Sequence, residues 1–345
     1  MKESLLNLIY CPKCSSSGFI LLKKEKNRIE IRAGDITCKR CSYRIPIVNG
    51  VVNCIHNPPK TVKNEIKENL AVAEKRRDKD EEWILALPLA ENFGNEKCMD
   101  INKGYLENVI FLMSKVSLKG KALLDIGAGT CWTTNIFAGA GANAVATDIS
   151  PEKFVGLSSS DAFIRKNKVY FERVLCSMDS LPFNDSSFDV VVSNAAVHHA
   201  LDVKKTFSEI SRVLREGGLY VQTNEPVCSI FNFNRRIDIK KAKERGMDVA
   251  EGWNENTYRY LDYRKFMKNN GLSGEFFFPP SFNHILENKA ALRGVKGFKR
   301  LIGALISYVW GINSFRYVLV WFFPVSLILF GGSFVLIARK HCNKI

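Results

Sequence analysis

The chain has 345 residues, 46% hydrophobic and 25% charged, enough for one large domain with smaller attachments and incompatible with wholesale disorder. Its 50 Lys and Arg against 35 Asp and Glu leave a formal charge of +15, which favours anionic partners: nucleic acid, an acidic membrane surface or a phosphorylated substrate. The 10 cysteines are too sparse for a secreted disulfide scaffold, and MKESLLNLIY contains no secretory apolar run, so the main body is expected in a reducing cytoplasm.

Residues 1–57 read as a small cysteine-bearing unit closed by Asn57-Pro58-Pro59. Cys11-Pro-Lys-Cys14 and Cys38-Lys-Arg-Cys41 supply four thiolates, a complete tetrahedral shell for a structural Zn2+ with no open position for catalysis. The intervening GFILLKKEKNRIEIRAGDIT suits short strands, and a metal would supply much of the stability of so small a unit. Residues 58–112 form a linker or lid. TVKNEIKENLAVAEKRRDKDEE reads as a solvated helix, and mixed apolar segments of helical character follow it.

From 113 to 287 strands and helices alternate. ALLDI at 122–126 suits a buried strand and runs into the turn Gly127-Ala128-Gly129. A helix over 130–138, a strand AVATD at 144–148 and a further helix capped by Ser150 before Pro151 follow. Strands are expected at 169–176 and in valine-rich FDVVVSN at 188–194. Val203, Phe207, Ile210 and Leu214 recur at helical spacing, Gly217-Gly218 would end that helix, and 219–223 begins a fifth strand. The pattern predicts an α/β, doubly wound Rossmann-like sheet covered on both faces.

In such sheets ligands bind beyond the carboxyl ends of the strands, where the strand order reverses. Gly127 and Gly129 let the backbone approach a ligand, and Asp148, at the end of the second strand, can accept from both hydroxyls of a ribose. These features alone also fit a nicotinamide dinucleotide. Ser177-Met-Asp-Ser-Leu-Pro-Phe183, Ser187-Phe-Asp-Val-Val191 and the later Glu209-Ile-x-Arg-Val-Leu-x-x-Gly-Gly218 resemble class I S-adenosylmethionine-dependent methyltransferases of the small-molecule type-11-like kind, over Lys121 to Thr223. The resemblance implies that Gly127 and Gly129 border the methionine part of the cofactor and that Asp125 holds its amino group, directly or through water. It further implies that Asp148 binds the ribose, Asp179 takes the adenine amino group with Met178 or Leu181 against the ring, and Asn194 faces the methionine moiety. Cys131 stands where many members carry a third glycine.

The sulfonium methyl is already activated, so the protein has to align an acceptor and, for a hydroxyl, supply a base. His198 and His199, just after the fourth strand, and Glu225, just after the fifth, are the catalytic candidates. Loop packing would account for the histidines equally, and a solvent-facing carboxylate for Glu225. Residues 254–272, with Tyr258, Tyr260 and Tyr263, look like the lid and last helix of small-molecule methyltransferases, although packing would explain the tyrosines too. The stretch Tyr43 to Val51 resembles the small zinc ribbons fused to, or partnering, methyltransferases, which leaves a protein partner for the ribbon open.

Residues 288–345 are first basic and then apolar. Tyr317 to Ala338 carries no charge, and as one helix would cover roughly 33 Å against a hydrocarbon core of about 30 Å. The expectation is a C-terminal apolar helix acting as a single anchor on the cytoplasmic side of an anionic membrane; a buried hairpin in the catalytic domain is the alternative. The expected function is methyl transfer from S-adenosylmethionine to a small-molecule, lipid or lipid-linked glycan acceptor. An RNA methyltransferase, with nucleic acid as second-choice partner, and a non-catalytic cofactor-binding scaffold are the alternatives.

Overall fold

The computed structural model describes residues 1–90, 96–232, 236, 240, 253–281 and 321–342, with backbone alone at 96–100 and 330. The strands are β1 (Phe19–Lys26), β2 (Ile31–Cys38), β3 (Arg44–Val48), β4 (Val51–Asn53), β5 (Ala122–Ile126), β6 (Asn143–Asp148), β7 (Glu172–Leu175), β8 (Phe188–Asn194), β9 (Leu214–Thr223), β10 (Val227–Cys228), β11 (Tyr258–Arg259), β12 (Leu272–Phe277) and β13 (Val335–Lys340). The helices are α1 (Lys60–Lys75), α2 (Glu81–Leu85), α3 (Glu96–Lys115), α4 (Trp132–Gly139), α5 (Ser160–Lys166), α6 (Val203–Val213), α7 (Tyr260–Asn269) and α8 (Phe323–Phe330).

An 11-stranded sheet, in the order β1-β2-β3-β4-β7-β6-β5-β8-β9-β13-β12, runs through the molecule. Its middle, from β4 to β9, is parallel. The run Val190-Val191-Val192 in β8 and Leu123-Leu124 in β5 are buried, as strands covered on both faces require. Helix α6 turns Val203, Phe207, Ile210 and Val213 to the core, and Asp202 caps it by accepting from the amides of Lys204 and Lys205. Since β5 lies between β6 and β8, the strand order reverses beside β5, and a crevice opens at that end of the sheet.

The C-terminal expectation is corrected. Among the described residues of the expected helix, α8 has 8 residues, about 12 Å of rise. Gly331 and Gly332, at φ 75° and 142°, then turn the chain, and Val335–Lys340 enters the sheet between β9 and β12, antiparallel to both. Among the described residues no helix is long and apolar enough to cross a membrane. The apolar character of 335–338 serves a strand buried in the sheet, where Val335, Leu336 and Ala338 are shielded. Residues 317–320 of the expected helix lie outside the described residues.

Two local expectations are also revised. Ser150 caps no helix: its amide donates to Asp148 Oδ1 (2.8 Å), the chain passes through Phe154 at φ 70°, and α5 begins only at Ser160. Gly217-Gly218 lies inside β9, because α6 stops at Val213 and Leu214 already pairs with Phe188.

The cysteine-bearing unit continues the same sheet. Strand β4 pairs in parallel with β7, Val52 opposite Val174 and Asn53 opposite Leu175. A buried ionic cluster locks this join. Glu30 contacts the Met1 amine (2.9 Å), Arg32 (2.8 Å) and the guanidinium of Arg173, while Arg173 Nη1 and Arg32 Nη2 also reach Asp161 (3.1 and 2.8 Å). The side chains of Arg173 and Glu30 are 0% and 1% exposed. Gly50, at φ 77°, passes directly over the pair, where a Cβ would collide with both.

Removing one member of a buried ion pair strands the other charge, a loss of about 3–5 kcal/mol. Glu30 would keep the Met1 amine and Arg32, so Arg173→Met is expected to lower unfolding stability by a smaller amount, about 1–3 kcal/mol in urea titration, and no measurable loss would show that the cluster does not secure the join.

Candidate functional site

The crevice beside β5 is a cleft of about 470 Å3, walled by the turns that leave β5, β6, β7 and β8 and by side chains of α1 and α3. Gly127 (φ 66°) and Gly129 (φ 49°) form the turn after β5. A Cβ at Gly127 would come within 2.6 Å of the Ala196 methyl, so only glycine lets the two turns approach. Cys131, at the position where glycine was expected by resemblance, is held at φ 65° just before α4, a conformation that disfavours side chains.

Asp148 lines the cleft. Its Oδ2 accepts from the Gly129 amide and its Oδ1 from the Ser150 amide, both at 2.8 Å. Burial pushes its pKa up, and the amides of Ser150, Gly129 and Ile149 oppose the shift. Met178 and Asn194 also line the wall, as does Ser177, which the sequence reading passed over. Asn194 is fixed by the Thr223 hydroxyl (2.8 Å) and the Asn224 amide (2.6 Å).

Asp125 and Asp179 stand behind the wall. Asp125 is fully buried, and its Oδ2 accepts from the hydroxyls of Thr133 (2.8 Å) and Thr134 (2.6 Å) at the start of α4, while its buried Oδ1 has no hydrogen-bond partner. Asp179 accepts from the Thr206 hydroxyl and the Asp202 amide, and so ties the β7 turn to the start of α6. Tyr258, Tyr260 and Tyr263 are buried beside Phe266, Phe276 and Phe334, so they build the core and not the cleft.

Glu225 is fully buried, which leaves it no solvent-facing role. Its carboxylate accepts from the amides of Ala196 (2.7 Å), Val197 (2.8 Å) and His198 (3.2 Å), and from His198 Nδ1 (3.0 Å). It therefore shapes the turn after β8 and sets the imidazole, leaving Nε2 as the other ring nitrogen. Both histidines line the cleft. For His198, burial opposes the charged form, but Glu225, then Glu255 and Glu65, more than offset it and raise its pKa above 6.5. For His199, burial and the adjacent His198 hold the pKa well below that value, so this ring is neutral.

Glu65 of α1 and Glu255 complete this wall. Burial, then the carboxylates of Asp148 and Glu255, push Glu65 up to about 8. Neither residue was legible from spacing: Glu65 sits in a charge-rich stretch that reads as solvated, and Glu255 lies far along the chain. Cys11, Cys14, Cys38 and Cys41 come together, their sulfurs within 4.8 Å of one another and the pairs Cys11–Cys41 and Cys14–Cys38 at 3.6 Å. A tetrahedron with metal–sulfur bonds of about 2.3 Å has edges of roughly 3.8 Å, so the four thiolates fit a zinc ion.

Residues 124–222 match the family model described as a methyltransferase domain. The chain is similar to an uncharacterized methyltransferase, YcgJ, of Bacillus subtilis, 29% identical over 152 residues that cover 42% of this chain and 59% of that one. It is also similar to a demethylmenaquinone methyltransferase of Mycolicibacterium gilvum, 31% identical over 141 residues, covering 40% of this chain and 58% of that one. The chain thus spans less than two thirds of the length of either relative. Among solved structures, the [4+2]-cyclase SpnF shares the fold, with a TM-score of 0.50, 16% identity and coverage of 83% of this chain and 97% of that one.

Burial pushes Asp125 up to about 6 from its ordinary 3.8, against the pull of the two threonine hydroxyls. Between those values the folded chain holds a proton that the unfolded chain has lost, so stability falls as pH rises through that window. Asp125→Asn is expected to remove that part of the decline in thermal unfolding measured from pH 4 to pH 7, a flattening on the order of 3 kcal/mol; an unchanged slope would refute the assignment.

Proposed function

We propose that the chain transfers the methyl group of S-adenosylmethionine to a small lipophilic acceptor. The observation that carries the reading is the position of Asp148: a carboxylate fixed by two backbone amides, lining a cleft beside a glycine turn that a Cβ would block, in a segment that matches a methyltransferase domain. That cradle fits the cofactor. The backbone of Gly127 and Gly129 would lie against its methionine part, Asp148 would hold the ribose hydroxyls, Met178 and Ser177 would flank the base, and Asn194 would close the methionine end. Asp125, behind the turn, would steady α4 and the glycine loop from below.

The bound cofactor would supply an already activated methyl group. The residues of this chain would exclude water and align the acceptor. Glu225 would hold the turn 196–198 and orient His198 toward the acceptor side; its four contacts make it a positioning residue and not a free base.

The acceptor class is supported by the relatives. They include demethylmenaquinone methyltransferases, a sterol 24-C-methyltransferase of Pneumocystis carinii and a phthiotriol/phenolphthiotriol dimycocerosates methyltransferase of Mycobacterium leprae, names that denote lipid-like acceptors. Exposed Phe231, Trp321, Phe322 and Val325 suit work at a membrane surface. The four clustered cysteines would hold a structural zinc ion that stiffens the β1–β4 edge of the sheet.

With S-adenosylmethionine labelled in its methyl group, incubation with the chain and a total extract of producing cells is expected to move label into the organic phase. Asp148→Ala should reduce that transfer roughly 10- to 100-fold, the value of a charge-assisted hydrogen bond. Label entering only acid-insoluble RNA would contradict the acceptor class, and label entering no fraction would contradict the enzyme.

A further inference from the structure

At the acceptor end of the cleft, four side chains from three separate stretches converge without bonding to one another. His198 Nε2 lies 3.6 Å from Glu255 Oε2, and His199 Nδ1 lies 3.9 Å from Glu255 Oε1 and 3.8 Å from Glu65 Oε1. These separations exceed hydrogen-bond length. The ligand atoms of His198, His199 and Glu255 all fall within 4.8 Å of one another.

The arrangement is rigid. The side chain of His198 is 9% exposed, and its Nδ1 is committed to Glu225 at 3.0 Å, so Nε2 is the nitrogen left for the cluster. A histidine whose second nitrogen is tied to a carboxylate is the usual support of a metal ligand. His199 Nδ1 is buried and has no hydrogen-bond partner. Glu255 is brought to the histidines by its neighbours: the Asn256 amide donates to the His198 carbonyl (3.0 Å), and the Asn254 side chain donates to the carbonyls of His199 (3.0 Å) and Ala200 (2.8 Å). The ligand atoms of His198, His199 and Glu255 form a compact set of nitrogen and oxygen donors of the kind that holds a cation, with Glu65 beside His199.

We propose that His198, His199 and Glu255, with Glu65 beside His199, bind a divalent ion of borderline hardness such as Zn2+ or Co2+. Mixed nitrogen and oxygen ligands favour such ions over Mg2+ and Ca2+, and the four-cysteine site takes the softer share. The second site shares its cleft with Asp148 and the glycine turn. Resting on the methyl-transfer reading, it defines the acceptor further: a hydroxylated molecule whose oxygen completes the shell of the ion.

The test is a Co2+ titration of the full chain carrying one equivalent of Zn2+, followed by visible absorption. One Co2+ per chain is expected, with ligand-field bands and no thiolate charge-transfer band. Glu255→Gln and His199→Ala should each weaken binding tenfold or more, with circular dichroism unaltered, and Glu65→Gln is a further variant should either perturb the fold. Absence of the bands at millimolar Co2+, or equal affinity in all variants, would overturn the proposal. Because no cofactor is present, such a failure leaves the methyl-transfer reading to its own label-transfer test.

Discussion

A carboxylate shut away from water has to find donors, and Glu225 finds four contacts within one turn of chain. That requirement shapes the acceptor half of the cleft. The amides of 196–198 point inward to the carboxylate, which fixes the turn leaving β8, places Ala196 against Gly127 and sets the ring of His198. The segment 254–256 then fastens to the carbonyls of the same turn and carries Glu255 with it. Ala195 and Asn224, at φ 49° and 62°, hold left-handed conformations on either side of this arrangement, as expected where the surroundings over-determine the backbone.

The cofactor half rests on a different constraint, the reversal of strand order beside β5. Parallel strands deliver the turns after β5, β6, β7 and β8 to one edge, so residues distant in sequence meet there without a dedicated loop. The same sheet absorbs both ends of the described chain. Strand β13 inserts next to β9, and the cysteine-bearing unit adds β1 to β4 beyond β7, sealed by Arg173 and Glu30. Stability at the sheet edge and the geometry of the cleft are therefore linked, since β7 pairs with β4 on one side and leads into the Ser177–Met178 wall at its end.

Much of this was legible from residue pattern. The runs ALLDI and FDVVVSN form strands at the expected bounds, and the helical spacing of Val203, Phe207 and Ile210 marks the buried face of α6. The glycine turn and Asp148 meet because both are local to strand ends. The failures have a common physical cause, tertiary partners that sequence does not display. Residues 335–338 are as apolar as a membrane helix, but a central strand needs the same character, and Gly331-Gly332 decides between the two. Glu225 reads either as a catalytic candidate or as a solvent-facing carboxylate before Pro226 until its amide donors are seen, and Glu65 reads as solvated until α1 is packed over the cleft. Asp179, which the resemblance sets against the adenine, also accepts from Thr206, and Ser177 lines the wall beside Met178.

The central claim, that this cleft binds S-adenosylmethionine through Asp148, is tested most directly by calorimetric titration of the cofactor into the full chain and into Asp148→Ala. The account predicts one binding site per chain and an affinity lowered roughly 10- to 100-fold in the variant. No heat of binding with correctly folded chain, or the same affinity in both proteins, would contradict it.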